Sequence, residues 1–540
     1  MKKMLKNPLY VYGDEVVGVP SHLNFGQYMV TTMWNYGDKI AMINGITDER
    51  LTYRDIVKDA MNIAVSLTRI GVKRGDIVAI CSENRQEYWS TFIGTSCTGA
   101  TFTATNSAYT KDELLHVLNI SKPKMIFCSQ HAYKVHEKTL RSLSYMEKII
   151  IFGTDRPPNT LLYNDLVKNN TNITLENFRA ADVVGQTDTA VILYSSGTTG
   201  LPKGVMLNHL NILTTCNMSS TMNPKESSLT ITPWYHTMGL IGNLRIFANG
   251  GYFVYLPKFD SDLYLKTIER YQIVQIVVAP PVLVALCKFQ SNYDVSSVKL
   301  VYSGAAPLRS DTIKAVKDRF PNVTSVLQGY GMTEATFGVT RDSYDTAHLS
   351  KTGSVGRVVS SCIIKVVDID TKAPLGVNQP GEIYIKGPLV MKGYIGKDRS
   401  EDFDDEDFFK TGDIGYYDED RCFFIVDRLK ELIKYKGYQV PPAEIEAVLL
   451  QHPSIRDVGV VGIPHADAGE VPRAYVVVQP EANVTEDEIK NLVKEKLSNP
   501  KHLRGGVQFV KEIPKNPSGK ILRRKLREMS QIRNEAKSKL

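Results

Sequence analysis

The chain predicts an α/β protein, with a large N-terminal domain of wound α/β subdomains and a small β subdomain, followed by a small α+β C-terminal domain. Three observations predict it. The 540 residues are too many for one compact core, and with 43% of them hydrophobic at least two well-filled domains are expected. From about residue 75 to 340, short β-branched runs alternate with amphipathic segments, the pattern of a wound α/β domain. Beyond Asp427-Arg428-Leu429-Lys430 a new helix and strand pattern begins.

In chain order, strands are read at Ile77-Val78-Ala79-Ile80, Val191-Ile192-Leu193-Tyr194, Ile276-Val277-Val278-Ala279 and Lys299-Leu300-Val301-Tyr302. Small or polar loops lie among them. They are Ser195-Ser196-Gly197-Thr198-Thr199-Gly200-Leu201-Pro202-Lys203-Gly204, Pro233-Trp234-Tyr235-His236, Ser303-Gly304-Ala305-Ala306-Pro307 and Gln328-Gly329-Tyr330-Gly331-Met332-Thr333-Glu334. Ligands of open α/β sheets bind beyond the carboxyl ends of strands, so these loops are expected to meet at one site. Residues 353–424 read as short strands and turns, the β subdomain. The last unit is predicted as a helix over 443–452, strands over 458–463 and 474–479, a helix over 486–498 and a final helix from Gly519. The expected division is a domain over 1–427, a hinge at 428–430 and a domain over 431–540.

Composition narrows the function. The net charge of +7 is modest and both signs are interspersed, which gives no footprint for nucleic acid. Seven cysteines are scattered and never form a CxxC pair, against a disulfide or zinc framework and in favour of a reducing compartment. No transmembrane segment is expected, because the longest apolar run, 273–286, is short and broken by Gln275, Pro280 and Pro281. The chain ends in Ser538-Lys539-Leu540, the tripeptide read by the peroxisomal import receptor, so peroxisomal localisation is expected. A frayed, lysine-rich helix end is the plainer reading of the same residues.

The Ser195 loop carries the chemistry. Its glycines let backbone N–H groups approach an oxyanion, its hydroxyls donate further hydrogen bonds, and Lys203 supplies charge. A strand precedes it and an amphipathic segment is expected after it. It is not a Walker loop, since Gly204 follows Lys203 where Ser or Thr would be needed.

YSSGTTGLPKGV, GYGMTE, TGDIGYYDED, VDRLKELIKYKGYQVPPAEIE and PKNPSGKILRRKLRE resemble, in order, the motifs of the adenylate-forming superfamily. That superfamily holds acyl-CoA synthetases, 4-coumarate–CoA ligases and beetle luciferases, and the likeness is strongest to insect luciferase-like acyl-CoA synthetases. The resemblance implies ATP, Mg2+ and coenzyme A as cofactors, a carboxylic acid as substrate, and a mobile C-terminal domain. It implies that Ser195, Ser196, Gly197, Thr198, Thr199, Gly200 and Lys203 hold phosphate. Gly304, Ala305, Gly329, Tyr330, Gly331 and Thr333 would surround the nucleotide, with Tyr330 against adenine. Glu334, with Thr198, would hold magnesium, Asp413 would accept both ribose hydroxyls from a tight turn, and Arg428 would support the nucleotide beside it. On spacing alone Thr333-Glu334 is a helix cap, Asp413 an Asx-turn and Arg428 a linker salt bridge.

Lys520 is one of a basic run by spacing alone, and the motif match makes it the lysine that reaches the α-phosphate during adenylation, from the start of the last helix. After a domain rotation the segment from Lys434 to Gln439 would replace it, with Lys434 near the acyl phosphate, Lys436 and Gln439 beside coenzyme A, and Gly437 leaving room for pantetheine. An exposed basic hairpin is the alternative. His236 is placed by resemblance in the acyl pocket with Thr215, Met238, Gly239 and Phe337, while a lone histidine among aromatics is as often a packing residue. Met218, Met222, Met238, Leu240 and Phe337 read as an apolar lining for a medium- or long-chain fatty acid, or equally for an aryl acid. Beetle luciferases typically carry arginine, threonine and serine where this chain has Thr215, Gly242 and Phe337, which favours an acyl-CoA synthetase over a luciferase-type monooxygenase.

Overall fold

The computed structural model describes residues 6–15, 18–168, 172–196, 202–218, 226–304, 308, 310–342, 349–436, 438–465, 467–515 and 519–538. Among these, two wound sheets form the body of the large domain. One runs in the order Gly393–Tyr394, Pro202–Asn208, Thr189–Ser196, Thr101–Thr105, Ile77–Cys81, Met125–Ser129, Lys148–Phe152, Leu161–Leu162. The other centres on Ser325–Gly331, Leu300–Ser303, Gln275–Val278, Ser227–Thr230 and Tyr252–Tyr255, all parallel. Their β-branched residues suit a sheet covered on both faces. A third, antiparallel sheet holds Ile363–Val367, Gly381–Lys386, Phe409–Tyr417 and Phe423–Arg428.

Between the wound sheets lies an aromatic core. Trp89 and Trp234 are fully buried with ring centroids 5.1 Å apart, and Phe247 meets Trp89 edge-on at 5.0 Å. This core fixes the loop bearing His236. Asn84 accepts from the Trp234 amide at 3.0 Å and donates to Thr232 at 3.1 Å, and the Tyr88 hydroxyl donates to the Trp234 carbonyl at 3.1 Å.

The C-terminal domain has its own core, from Ile433 to Leu526, around a hairpin of Ile455–His465 and Gly469–Val478. These strands are longer than predicted because the pairing continues past the buried residues on both sides. The helix Pro442–Leu449 stops short of 452, and Glu486–Lys496 matches its prediction to within two residues. The last helix is Arg523–Ser538, not a helix from Gly519, because Ile521 is drawn into a bridge with Lys515. None of the seven cysteines is in a disulfide. Among the described residues no helix is long and apolar enough to cross a membrane.

Candidate active site

The phosphate loop joins two antiparallel strands. Pro202–Asn208 folds back on Thr189–Ser196 with Lys203 opposite Ser195, so the segment expected to be amphipathic begins as a strand. Gly197, Thr198, Thr199 and Gly200 lie outside the described residues, as do Ala305 and Gly437. The pairing aims Lys203 across the sheet edge, and its ammonium lies 4.4 Å above the ring centre of Tyr394. Burial, then Lys397, lowers its pKa.

Tyr394 links this lysine to the expected metal ligand. Its hydroxyl donates to Glu334 at 2.8 Å, so ammonium, phenol and carboxylate form one row. Sequence reasoning missed Tyr394, since nothing in Gly393-Tyr394 marks it before the strand is seen to pair with Val205 and Met206. Glu334 sits in a short 3-10 turn, Thr333–Ala335, tied down where Met391 donates its amide to the Glu334 carbonyl at 2.7 Å. A single placed carboxylate fits magnesium, which takes one or two protein oxygens and fills its shell with phosphate and water.

Gly329, Tyr330 and Gly331 are strand residues rather than loop residues, and they end the parallel series beside Gly304. Gly331 is dictated by a close approach, because a Cβ there would stand 2.0 Å from the Phe337 carbonyl oxygen. The Tyr330 hydroxyl donates to Asp413 at 2.6 Å, and Arg428 meets the other carboxylate oxygen at 3.2 Å. Asp413 therefore lies in the strand Phe409–Tyr417, directly across from Arg428 in register, and not in a tight turn. Gly412, at φ +71°, bends the strand so that its carbonyl accepts from Leu429 at 2.8 Å. Asp413 is only 5% exposed. Burial raises its pKa against the opposing pull of Arg428, Tyr330 and Lys520. This buried, oriented carboxylate is chemically suited to a pair of ribose hydroxyls.

Lys520 reaches this cluster from the C-terminal domain in irregular backbone, ahead of the last helix. Gly519, at φ +83°, leaves it room, since a Cβ there would fall 2.1 Å from the Pro281 ring. Desolvation, then the Arg428 charge, pushes Lys520 down to about 8, against the pull of Glu431 and Asp413. The amine is thus charged below that value and neutral above it. Adenylation kcat/KM is expected to fall as pH rises through about 8, and Lys520→Arg, which stays charged, is expected to move that limb upward. A pyrophosphate-release profile over about pH 6 to 10 checks it, and an unmoved limb in the arginine variant would reject the assignment.

Lys434, Lys436 and Gln439 are not brought to this cluster. All three are exposed, and Lys434 and Gln439 line a separate cleft of about 460 Å³ with Ile369, Leu429 and Lys430. The two lysine-bearing segments of the C-terminal domain thus occupy different places in one conformation.

His236 caps the helix Thr237–Ala248 without a side-chain cap bond. The residue is exposed, and desolvation by the surrounding protein lowers the pKa of its ring to about 4. Thr237 donates its hydroxyl to the Thr336 carbonyl, and this ties the helix to the segment bearing Phe337. Met238 follows, its terminal methyl 3.1 Å from where a Cβ on Gly304 would be.

Several other residues expected in the acyl pocket are buried. Thr215 is 2% exposed and donates back to the Asn211 carbonyl at 3.0 Å, as a helical threonine does when it faces the core. Gly239 is buried because the Pro233 carbonyl oxygen fills its side-chain position at 2.2 Å. Met218 and Leu240 are core residues, and Met222 lies outside the described residues. Phe337 keeps part of its surface accessible. Its ring edge lies 3.3 Å from where a Gly242 Cβ would stand, so the small and the large residue occupy one space together.

Residues 31–395 match the AMP-binding enzyme family and residues 444–520 match the AMP-binding enzyme C-terminal domain. The chain belongs to the adenylate-forming AMP-binding enzymes, the family of acyl-CoA ligases and luciferases. Its relatives include a luciferin 4-monooxygenase of Nipponoluciola cruciata, 39% identical with 91% of each chain covered. They also include 4-coumarate–CoA ligase 1 of Petroselinum crispum, 37% identical with 94% of each covered. Among solved structures, ATP-bound MatB from Rhodopseudomonas palustris aligns at TM-score 0.81 and 28% identity, over 93% of this chain and 98% of that one. The luciferase-like enzyme from the nonluminescent Zophobas morio mealworm aligns at TM-score 0.72 and 30% identity, over 78% and 100%.

Proposed function

We infer that the protein is an AMP-forming acyl-CoA synthetase, converting a carboxylic acid and ATP to acyl-adenylate and pyrophosphate, then passing the acyl group to coenzyme A. The observation that carries the reading is the arrangement of the C-terminal domain: Lys520 stands in the Asp413–Arg428 cluster while Lys434 and Gln439 face a different cleft. One orientation serves adenylation, and a rotation about the Arg428–Lys430 hinge would exchange the two segments.

In this reading Lys203 and the Ser195 loop would hold the phosphates, and Glu334 would hold magnesium, which would supply positive charge to them. Asp413 and Arg428 hold the ribose, Tyr330 lines the nucleotide site beside them, and His236 accepts or donates at the acid's carboxylate. The acid has an apolar body, whether a medium- or long-chain fatty acid or an aryl acid of the coumarate type, the latter being the kind of ligase among the relatives. Import into peroxisomes through Ser538-Lys539-Leu540 belongs to the same proposal.

Luciferase activity is disfavoured by Phe337, which fills the space against Gly242. Enlarging contents of a filled space costs about 1–3 kcal/mol. Purified protein with ATP and magnesium is expected to release pyrophosphate with fatty or aryl acids and, on adding coenzyme A, to form the thioester. With D-luciferin it is expected to emit little or no light. Light at a rate comparable to thioester formation, or adenylate with no thioester for any acid, would overturn the reading.

A further inference from the structure

The strand Gly393–Tyr394 pairs antiparallel with Val205 and Met206 at the edge of the first sheet. The pairing continues past the strand, where the Ile395 amide donates to the Gly204 carbonyl at 2.9 Å. Gly396 then takes φ +72°, and the chain turns so that the Lys397 amide donates back to the Tyr394 carbonyl at 3.3 Å. That left-handed conformation is one glycine adopts without a Cβ penalty. Strand pairing and turn together bring Lys397 to Lys203, its distant neighbour in sequence.

Both ammoniums face one aromatic ring. Lys203 Nζ lies 4.4 Å and Lys397 Nζ 6.0 Å from the ring centre of Tyr394. Tyr394 is only 7% exposed, and its hydroxyl donates to Glu334, so the ring itself is fixed. Among the described residues no carboxylate stands within ion-pair distance of Lys203, although Asp402 acts on it from farther away. Lys397 meets Glu401 at 3.9 Å, in a pair open to solvent. An exposed pair of that length contributes little and is readily exchanged for a better anion.

Two ammoniums held against one ring repel each other, and an anion with several charges relieves that repulsion. The place tells which anion. Lys203 stands opposite Ser195, where the phosphate loop begins, and the ring under both lysines is bonded to the carboxylate suited to magnesium. We propose that Lys397 is a further binding residue for ATP, meeting its terminal phosphates beside Lys203 and staying with them as they leave as pyrophosphate. The proposal rests on the adenylation reading above and adds to it a lysine that lies outside every motif of the sequence. AMP and the acyl-adenylate keep only the α-phosphate, so Lys397 has no part in holding them.

The test titrates MgATP and AMP separately into the full-length protein by calorimetry, with no acid present, so that binding is read without turnover. Lys397→Met is expected to weaken MgATP by about five- to thirtyfold, the loss of one charge-assisted contact at a site open to water. Its affinity for AMP is expected to stay within about twofold of the wild type. Inhibition of acyl-adenylate formation by added pyrophosphate is expected to weaken by a factor similar to that for MgATP. Lys397→Arg, which keeps the charge, is expected to retain most of the MgATP affinity. Lys397→Gln gives a second variant with the same expected direction, should Lys397→Met not fold.

Unchanged MgATP affinity in the folded variants, or an equal loss for MgATP and AMP, overturns the proposal and leaves adenylation standing. A wild-type protein that binds no MgATP, or that releases no pyrophosphate with any acid, overturns the adenylation reading itself, and the proposal with it.

Discussion

Lys520→Ala is expected to lower acyl-adenylate formation by roughly a hundredfold or more, the usual loss when one preorganised stabiliser of transition-state charge is removed. Thiolation of supplied acyl-adenylate is expected to persist. In-line attack on the α-phosphate spreads negative charge over the equatorial oxygens and the leaving pyrophosphate, so catalysis there is positioning plus electrostatics. Lys520 is the cation that the C-terminal domain extends into the Asp413–Arg428 cluster. Partial desolvation strengthens its interaction with an anion relative to the same pair in water. Thiolation would draw on Lys434 and Gln439, which lie outside this cluster. The measurement is paired single-turnover assays, one starting from acid and ATP and the other from synthetic acyl-adenylate and coenzyme A. Equal losses in both would defeat the division of labour between the two segments.

Arg523→Met is expected to destabilise the C-terminal domain by about 3–5 kcal/mol, the typical result of leaving buried charges without their partner. Arg523 is 8% exposed. Its Nη2 donates to both oxygens of Glu446 at 2.9 Å, and Nη1 meets Glu431 at 3.2 Å. Burial raises the pKa of Asp427, and Arg523 opposes it. One guanidinium thus offsets three carboxylates, two of which belong to the linker region. Without it, the buried carboxyls of Glu446 and Asp427, which burial already pushes up against the pull of Arg523, would hold their protons to still higher pH in the folded state than in the unfolded chain. The folded state then binds more protons in that window, so stability falls as pH rises. The variant is expected to lose more at pH near 8 than at pH near 5.5. Denaturant melts of both proteins at the two pH values check this, and a loss under about 1 kcal/mol at both would mean the cluster is held by something other than Arg523. Slower adenylation should accompany the loss, because Lys520 lies just ahead of Arg523 on the segment that leads into the last helix.

The sheets were legible because β-branched runs need cover on two faces, and only a wound fold supplies it. What was not legible follows from pairing at a distance. Nothing local shows that Pro202–Asn208 is a strand, since a proline and two hydrogen-bonding ends resemble a helix start as well. Its status is set by Val205 meeting Leu193 on one side and Tyr394 on the other. Asp413 looked like a turn residue because Thr-Gly-Asp has turn chemistry, and the positive φ of Gly412 is absorbed inside the strand instead. The carboxylates Glu334 and Asp413 were singled out through motifs, while Tyr394 and Arg523 carry no local mark. Thr215 and Leu240 are buried because their helices turn these side chains inward, and Met218 is buried just past the end of the first of them.

Arg428 has two neighbours of different kinds. On one side it is held to Asp413, and on the other it accepts, through its carbonyl, the amides of Glu431 and Leu432 at 2.8 and 3.1 Å. The carboxylate assigned to the ribose and the start of the linker therefore share a single residue. A swing of the C-terminal domain would pivot at the rim of the nucleotide pocket, so a bound adenylate would stay at rest while the catalytic groups around it are exchanged. The reaction intermediate would then sit on the axle rather than on the moving arm, and it need not cross solvent between one chemical step and the next.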